Sequence, residues 1–324
     1  LSIDPRAKRL LDLLAVARGS GSGADVSPAA RRTALNQLAE LAAGPPPAVA
    51  EVRDLAVEGV PPMRLYDPAP GQVGGAVLYL HGGGWTAGSL ETHDVLCRSL
   101  ALHSGCKLVA VDYRQPPEHP RPAAVEDGLG ALAWLARQAT ELGVDPRRIG
   151  VAGDSAGAHV AAELALRARD QAGSDWTQPD RAQSDPAAPR LALQLLICPI
   201  LDPSGALPSR QEFRDGHFID PDVFARDRQG YFGGEDQVAS LLARPDLQGL
   251  PPTRIHAAEF DPFRDEALAY AQKLEGAGVE AQASLHAGMI HYFYAVAGAL
   301  PAARPIVEAI GRQIGEILGR QEDA

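Results

Sequence analysis

The sequence predicts an α/β protein built on a mostly parallel sheet with helices on both faces. Five continuous apolar runs predict buried strands, at residues 76–80, 107–111, 148–152, 191–198 and 255–258. Helical stretches at 93–104, 123–141, 156–170 and 263–275 separate most of them, and strand alternating with helix is the pattern of a parallel sheet covered on both sides. At 324 residues, 45% of them hydrophobic, the chain can bury one large core or a main domain with a smaller attachment.

In chain order, Leu10, Leu13, Leu14 and Ala17 fall at helical spacing within 4–17, and the run Gly19-Ser20-Gly21-Ser22-Gly23 breaks that helix. No strand precedes these glycines, so they read as a linker and not as a dinucleotide-binding loop. Ser27-Pro28 predicts an N-cap and first turn, opening a second helix that ends near Ala43 before Gly44-Pro45-Pro46-Pro47. The alternating runs 51–58 and 63–66 predict two antiparallel strands at a sheet edge. A short strand at 281–285 is expected late in the chain. Ile306, Val307, Ile310, Ile314, Ile317 and Leu318 predict a last amphipathic helix packed on the sheet. Two segments leave this rhythm. Residues 172–189 are rich in Asp, Ser, Gln and Pro and predict a surface loop, whereas 202–247 carry scattered aromatics that suit short helices forming part of a lid.

Composition excludes several classes. The formal net charge of −11 speaks against nucleic-acid partners. Cys97, Cys106 and Cys198 lie in apolar surroundings without pair spacing, which predicts buried free thiols and neither a disulfide framework nor a metal site. The apolar stretch 10–16 is broken by Asp12 and preceded by Asp4, Arg6, Lys8 and Arg9, unlike a signal-peptide core, and no later run is long enough to span a bilayer. A cytoplasmic protein without an integral membrane segment is expected.

Chemistry concentrates in three places. Gly153-Asp154-Ser155-Ala156-Gly157 follows a predicted strand and precedes a predicted helix, so Ser155 sits on a sharp turn that lifts its hydroxyl above the positive end of the helix. Directly after the strand at 76–80 comes His81-Gly82-Gly83-Gly84-Trp85, whose glycines leave backbone N–H groups able to meet a carbonyl oxygen that becomes negative during acyl transfer; the N–H of Ala156 completes the expected set. A serine nucleophile on such a sheet needs an acid and then a histidine later in the chain. Asp261, just past the strand end, is the candidate acid, because Asp265 and Glu266 fall in the first turn of the next helix, where its dipole accounts for them. His291, in a predicted loop after Gly288-Met289-Ile290, is favoured over His286 as the base.

Taken together with Asp112-Tyr113-Arg114, Pro117-Glu118-His119-Pro120 and the stretch Glu259 to Glu266, these motifs resemble the bacterial hormone-sensitive-lipase-like carboxylesterases of the α/β-hydrolase fold over nearly the whole chain. The resemblance implies Ser155 as nucleophile, Asp261 as acid, His291 as base, and Gly82, Gly83, Gly84 and Ala156 as the oxyanion hole. It further implies a helical cap from 1–47 and 202–247 over a hydrolase core of 48–201 and 248–324, and an ion-paired support behind the glycine loop from Tyr113-Arg114 to Glu118. Trp85, Asp154 and Tyr292 are the substrate-pocket candidates. Departures from the family pattern bear on specificity: Ala158-His159 stands where Gly-Asn is usual, Tyr292 replaces a glycine after the histidine, and the 172–189 stretch is long.

The expected activity is cofactor-free and metal-free hydrolysis of small hydrophobic esters through an acyl-enzyme, with short- to medium-chain acyl groups implied by the resemblance. Amide, lactone or thioester hydrolysis by the same groups is the alternative, and a non-catalytic binding protein on the same fold is the alternative from another class. A homodimer is the oligomer that the resemblance suggests.

Overall fold

The computed structural model describes residues 2–18, 26–172, 189–205, 207–234 and 240–319; the predicted glycine linker and most of the predicted 172–189 loop lie outside them. Eight strands form one sheet: β1 (Glu51–Leu55), β2 (Met63–Asp67), β3 (Gly74–Leu80), β4 (Lys107–Val111), β5 (Val144–Asp154), β6 (Leu193–Ile197), β7 (Thr253–Phe260) and β8 (Ala281–Ile290). Their order is β1-β2-β4-β3-β5-β6-β7-β8. The β1–β2 and β2–β4 pairings are antiparallel, at the edge where the alternating runs place them, and all pairings from β4 to β8 are parallel.

The apolar runs are continuous because side chains alternate between two buried faces. Leu78, Leu80, Val109 and Val151 face one layer, where they meet α4 (Ala123–Arg137), α6 (Ser155–Ala172) and α9 (Arg264–Gly276). Val77, Tyr79, Leu108 and Ala152 face the other, against α3 (Leu90–Ser104) and α10 (Arg304–Leu318). Local signals set the helix starts. Ser89 and Thr92 make a reciprocal capping box that begins α3 three residues before the predicted 93. The single helix predicted over 123–141 is interrupted at Gln138, leaving a short α5 (Ala139–Leu142).

The strand predicted at 281–285 runs on to Ile290, so Gly288-Met289-Ile290 is not a loop. Its parallel register with β7 resumes at Phe260 and Ile290 after an irregularity. Gly288 absorbs that step at φ 74°, with its N–H donating to Glu259 Oε2 at 2.8 Å.

The N-terminal helices α1 (Pro5–Arg18) and α2 (Pro28–Ala42) return onto the end of the sheet that carries the functional loops. Ser27 caps α2 by accepting the Ala30 N–H, as its Ser-Pro start predicts. From α2, Arg32 donates to the carbonyls of Thr86 (2.9 Å) and Pro116 (2.8 Å) and pairs with Glu118, while Arg31 pairs with buried Asp227 on α8 (Pro221–Phe232). Arg114 pairs with Asp127 instead of Glu118, so the predicted support consists of two separate ion pairs. Segment 202–247 holds α7 (Pro208–Glu212) and α8, fixed by Arg210 on buried Glu266 at 2.5 Å.

At the other edge His256 is buried, with Nδ1 3.0 Å from His286 Nε2 and Nε2 3.0 Å from Gln313 Oε1. Burial, and then the neighbouring His286, lowers the pKa of His256 to about 3; burial lowers that of His286 to about 4. Both rings are therefore neutral in the fold, whereas an unfolded histidine takes up a proton near pH 6.5. Stability from this pair is complete above about pH 6.5 and is lost as pH falls from there towards 4, because the unfolded chain binds more protons. The melting temperature is expected to decline between pH 7 and pH 5, and His286→Gln to flatten that decline. An unchanged slope in the variant would assign it to other groups.

Candidate active site

Asp154 ends β5 and Ser155 begins α6 with no residue between them, so Ser155 adopts φ 52°. This left-handed conformation costs a non-glycine residue roughly 1–2 kcal/mol. The surroundings impose it. A Cβ on Gly157 would run into the carbonyl oxygens of Leu80 and His81, and one on Gly153 would lie 2.5 Å from Gly157 O. Only glycine on either side lets strand and helix close so tightly.

Two further loops converge on that hydroxyl. β8 delivers His291 immediately past its end, with Nε2 2.9 Å from Ser155 Oγ. The turn after β7 delivers Asp261, whose Oδ2 lies 2.8 Å from His291 Nδ1. With a carboxylate at Nδ1, that nitrogen carries the proton and Nε2 offers its lone pair to the serine. Asp261 Oδ1 accepts the Phe263 N–H at 2.8 Å, which braces the turn between β7 and α9. All three residues are at most 5% exposed. His286 points elsewhere, towards His256.

The glycine loop corrects one expectation. Gly82 N–H donates to Asp154 Oδ1 at 2.9 Å, so it is spent on the fold and is not a donor to substrate. A Cβ on Gly82 would run into that same carboxylate. Gly83 and Gly84, at φ 126° and 64°, have N–H groups that meet no acceptor among the described residues. Ala156 lies in the first turn of α6, where N–H groups lack an intrahelical partner.

Residues 77–295 match a protein family described as having the alpha/beta hydrolase fold. The chain belongs to this family. Carboxylesterase NlhH of Mycobacterium tuberculosis is 37% identical over 325 residues, spanning 97% of this chain and 95% of its own. Ethyl acetate hydrolase of Pseudomonas putida is 38% identical over 239 residues, 72% of this chain and 71% of its own. A hyperthermophilic esterase from Pyrobaculum calidifontis superposes with a TM-score of 0.85 at 34% identity, covering 98% and 99% of the two chains. The protein is a carboxylic ester hydrolase, as the resemblance to hormone-sensitive-lipase-like carboxylesterases implies.

Within this α/β hydrolase the three pocket candidates have different surroundings. Asp154 does not line a pocket: it is fully buried, and its carboxylate accepts from Tyr79 Oη at 2.7 Å and from Gly82 N–H. Trp85, at φ 62°, is sealed beneath α8, with its ring stacked 5.3 Å from Tyr231 and edge-on to Phe232. Tyr292 keeps a left-handed φ of 71°, the conformation that suits the glycine it replaces, and stacks 4.9 Å from Phe218. The ring of Phe218 in turn sits 6.2 Å from that of His291. His159, one turn into α6, donates from Nδ1 to Ile200 O at 2.9 Å, and burial keeps its pKa below the ordinary value.

One neighbour of Asp261 is invisible to sequence reading. Cys198, just beyond β6 at φ 43°, brings its thiol within 4.8 Å of that carboxylate. Burial, then the adjacent charge of Asp261, pushes the thiol pKa well up, so it stays protonated. Cys198, Asp261 and His291 form the one cluster of metal-ligand type among the described residues, and within it Asp261 and His291 are already hydrogen-bonded to each other. The signal was only the position of Cys198 at a strand end, which also suits a small buried hydrophobe. Among the described residues no helix is long and apolar enough to cross a membrane.

Proposed function

We propose that the chain hydrolyses short- to medium-chain carboxylic esters through an acyl-enzyme on Ser155. The observation that carries this reading is the pair of contacts at one imidazole, 2.9 Å to Ser155 Oγ and 2.8 Å to Asp261 Oδ2. His291 Nε2 takes the hydroxyl proton as Oγ attacks the ester carbonyl, then returns it to the departing alcohol; in the second half it activates water against the acyl-enzyme. Asp261 holds the ring in the tautomer this requires. The N–H groups of Gly83, Gly84 and Ala156 receive the oxyanion, and each such donor is worth about 3–4 kcal/mol in the transition state.

The helices of 1–47 and 202–247 act as a cap over this site, with Trp85, Phe218 and Tyr292 shaping the apolar space beneath it. The Arg31–Asp227 pair joins the two parts of the cap. Three free buried cysteines fit a cytoplasmic, reducing compartment, and the edge strand β8 is where a homodimer would form. The test is turnover of nitrophenyl esters from two to twelve carbons beside matched anilides. Esters of two to eight carbons are expected to be cleaved with an initial burst and anilides at least about a thousandfold more slowly. Comparable rates on anilides would make the protein an amidase.

A further inference from the structure

Asp154 is an ionised group directly beside the nucleophile, and the hydrolytic steps above give it no role. Its carboxylate accepts from Tyr79 Oη at 2.7 Å and from Gly82 N–H at 2.9 Å. It therefore ties the turn that carries Ser155 to the loop that supplies Gly83 and Gly84 and to β3 beneath it. Burial works to neutralise this carboxyl, yet its pKa lies below the ordinary value, because the facing His93 and the Tyr79 hydroxyl outweigh desolvation.

His93 lies on α3, fully buried, with Nε2 3.2 Å from Asp154 Oδ1 and 3.3 Å from Oδ2. Since an ionised carboxylate only accepts, Nε2 must carry a proton. On the other side of the ring, Nδ1 lies 2.8 Å from Thr92 Oγ1. That hydroxyl has a single proton, accepts the Ser89 N–H at 2.9 Å and lies 2.9 Å from Ser89 O, a group with no proton to give. If the Thr92 proton went to Nδ1, two oxygens would face each other at 2.9 Å with nothing between them. Every contact is a hydrogen bond only when the hydroxyl donates to Ser89 O and Nδ1–H donates to the hydroxyl. The ring then holds protons on both nitrogens.

We propose that His93 is a buried imidazolium paired with the Asp154 carboxylate, a positioning pair that locks the oxyanion loop to the nucleophile turn while cancelling the negative charge beneath the developing oxyanion. Neither residue touches substrate. The other titratable groups around the pair are neutral. Burial, and then the charge of His93, lowers the pKa of His81, 5.5 Å away between ring centroids, to about 4. Burial holds Tyr79, Tyr292, Tyr294 and Cys97 protonated. Among the described residues His93 is thus the cation that faces Asp154, and without it a bare carboxylate would oppose the oxyanion next door.

The inference rests on the ester-hydrolysis reading only for its effect on rate; the protonation state can be measured without turnover. In Ser155→Ala protein labelled with ¹⁵N-histidine, the His93 signals, assigned by their disappearance in His93→Gln, are expected to show both ring nitrogens protonated at pH 7. One bare nitrogen would overturn the proposal whatever the activity. In the active enzyme, His93→Gln keeps a neutral donor towards Asp154 but removes the charge, and is expected to lower kcat about 30-fold with KM within about twofold, less than the loss of a whole oxyanion donor. The double variant Asp154→Asn/His93→Gln retains an acceptor for Gly82 N–H and leaves no unpaired charge, so it should regain most of that loss. Wild-type kcat in His93→Gln, or a double variant no faster than the single one, would show that the charge pair has no part in positioning.

Discussion

Ser155→Ala is expected to lower ester turnover by roughly a millionfold, to a residue of rate that comes from the oxyanion donors and binding alone. The size follows from the geometry: Ser155 Oγ is the atom that His291 Nε2 faces at 2.9 Å, and among the described residues no other hydroxyl is hydrogen-bonded to it. Alanine keeps the Cβ, so the strained turn at φ 52° and its glycine neighbours are undisturbed. The melting temperature should therefore stay within about two degrees of the wild type, because no cap, core volume or buried charge is altered. The decisive measurement is the pre-steady-state burst on nitrophenyl acetate, one equivalent in the wild type and none in the variant. A burst that survived the substitution would place the acyl group on another residue and remove Ser155 from the mechanism.

The sheet was readable in the sequence because strands buried on both faces cannot hide: most residues of β3, β4 and β6 contribute to one of two apolar layers, so each appears as a nearly unbroken run. β8 was underestimated for the converse reason. It is an edge strand with exposed positions at Gln282, Leu285 and Ala287, and its continuation depends on a glycine at positive φ, which reads as a break. The order of Ser155, Asp261 and His291 was legible because the chain must visit the loop ends of successive parallel strands to assemble such a site. A glycine triplet does not say which N–H points at substrate. Gly82 is claimed by a carboxylate 72 residues away, and that pairing belongs to the register of β3 against β5. His93 is of the same kind: it looks like an ordinary buried residue until a distant carboxylate gives its ring nitrogen a task.

Asp261→Asn is expected to lower kcat by about ten-thousandfold while leaving Ser155 in place, an effect that acts through the tautomer of His291. In the native enzyme the two oxygens of Asp261 serve two donors: the Phe263 N–H at 2.8 Å and His291 Nδ1–H at 2.8 Å. Asparagine has one acceptor oxygen and one NH₂ group. If its oxygen faces His291, the NH₂ is driven against the Phe263 N–H, two donors in contact inside a dry site. If its oxygen faces Phe263, the NH₂ points at Nδ1, and the ring must move its proton to Nε2, where it can no longer accept one from Ser155. The second arrangement removes the backbone clash and so prevails. The variant should fold, bind substrate with a KM close to the native value, and react with an aryl phosphonate as slowly as kcat falls, because both reactions need the serine deprotonated by the same lone pair. A loss below about a hundredfold would mean that the ring keeps its native tautomer without the carboxylate, and that Asp261 serves chiefly to brace the turn after β7.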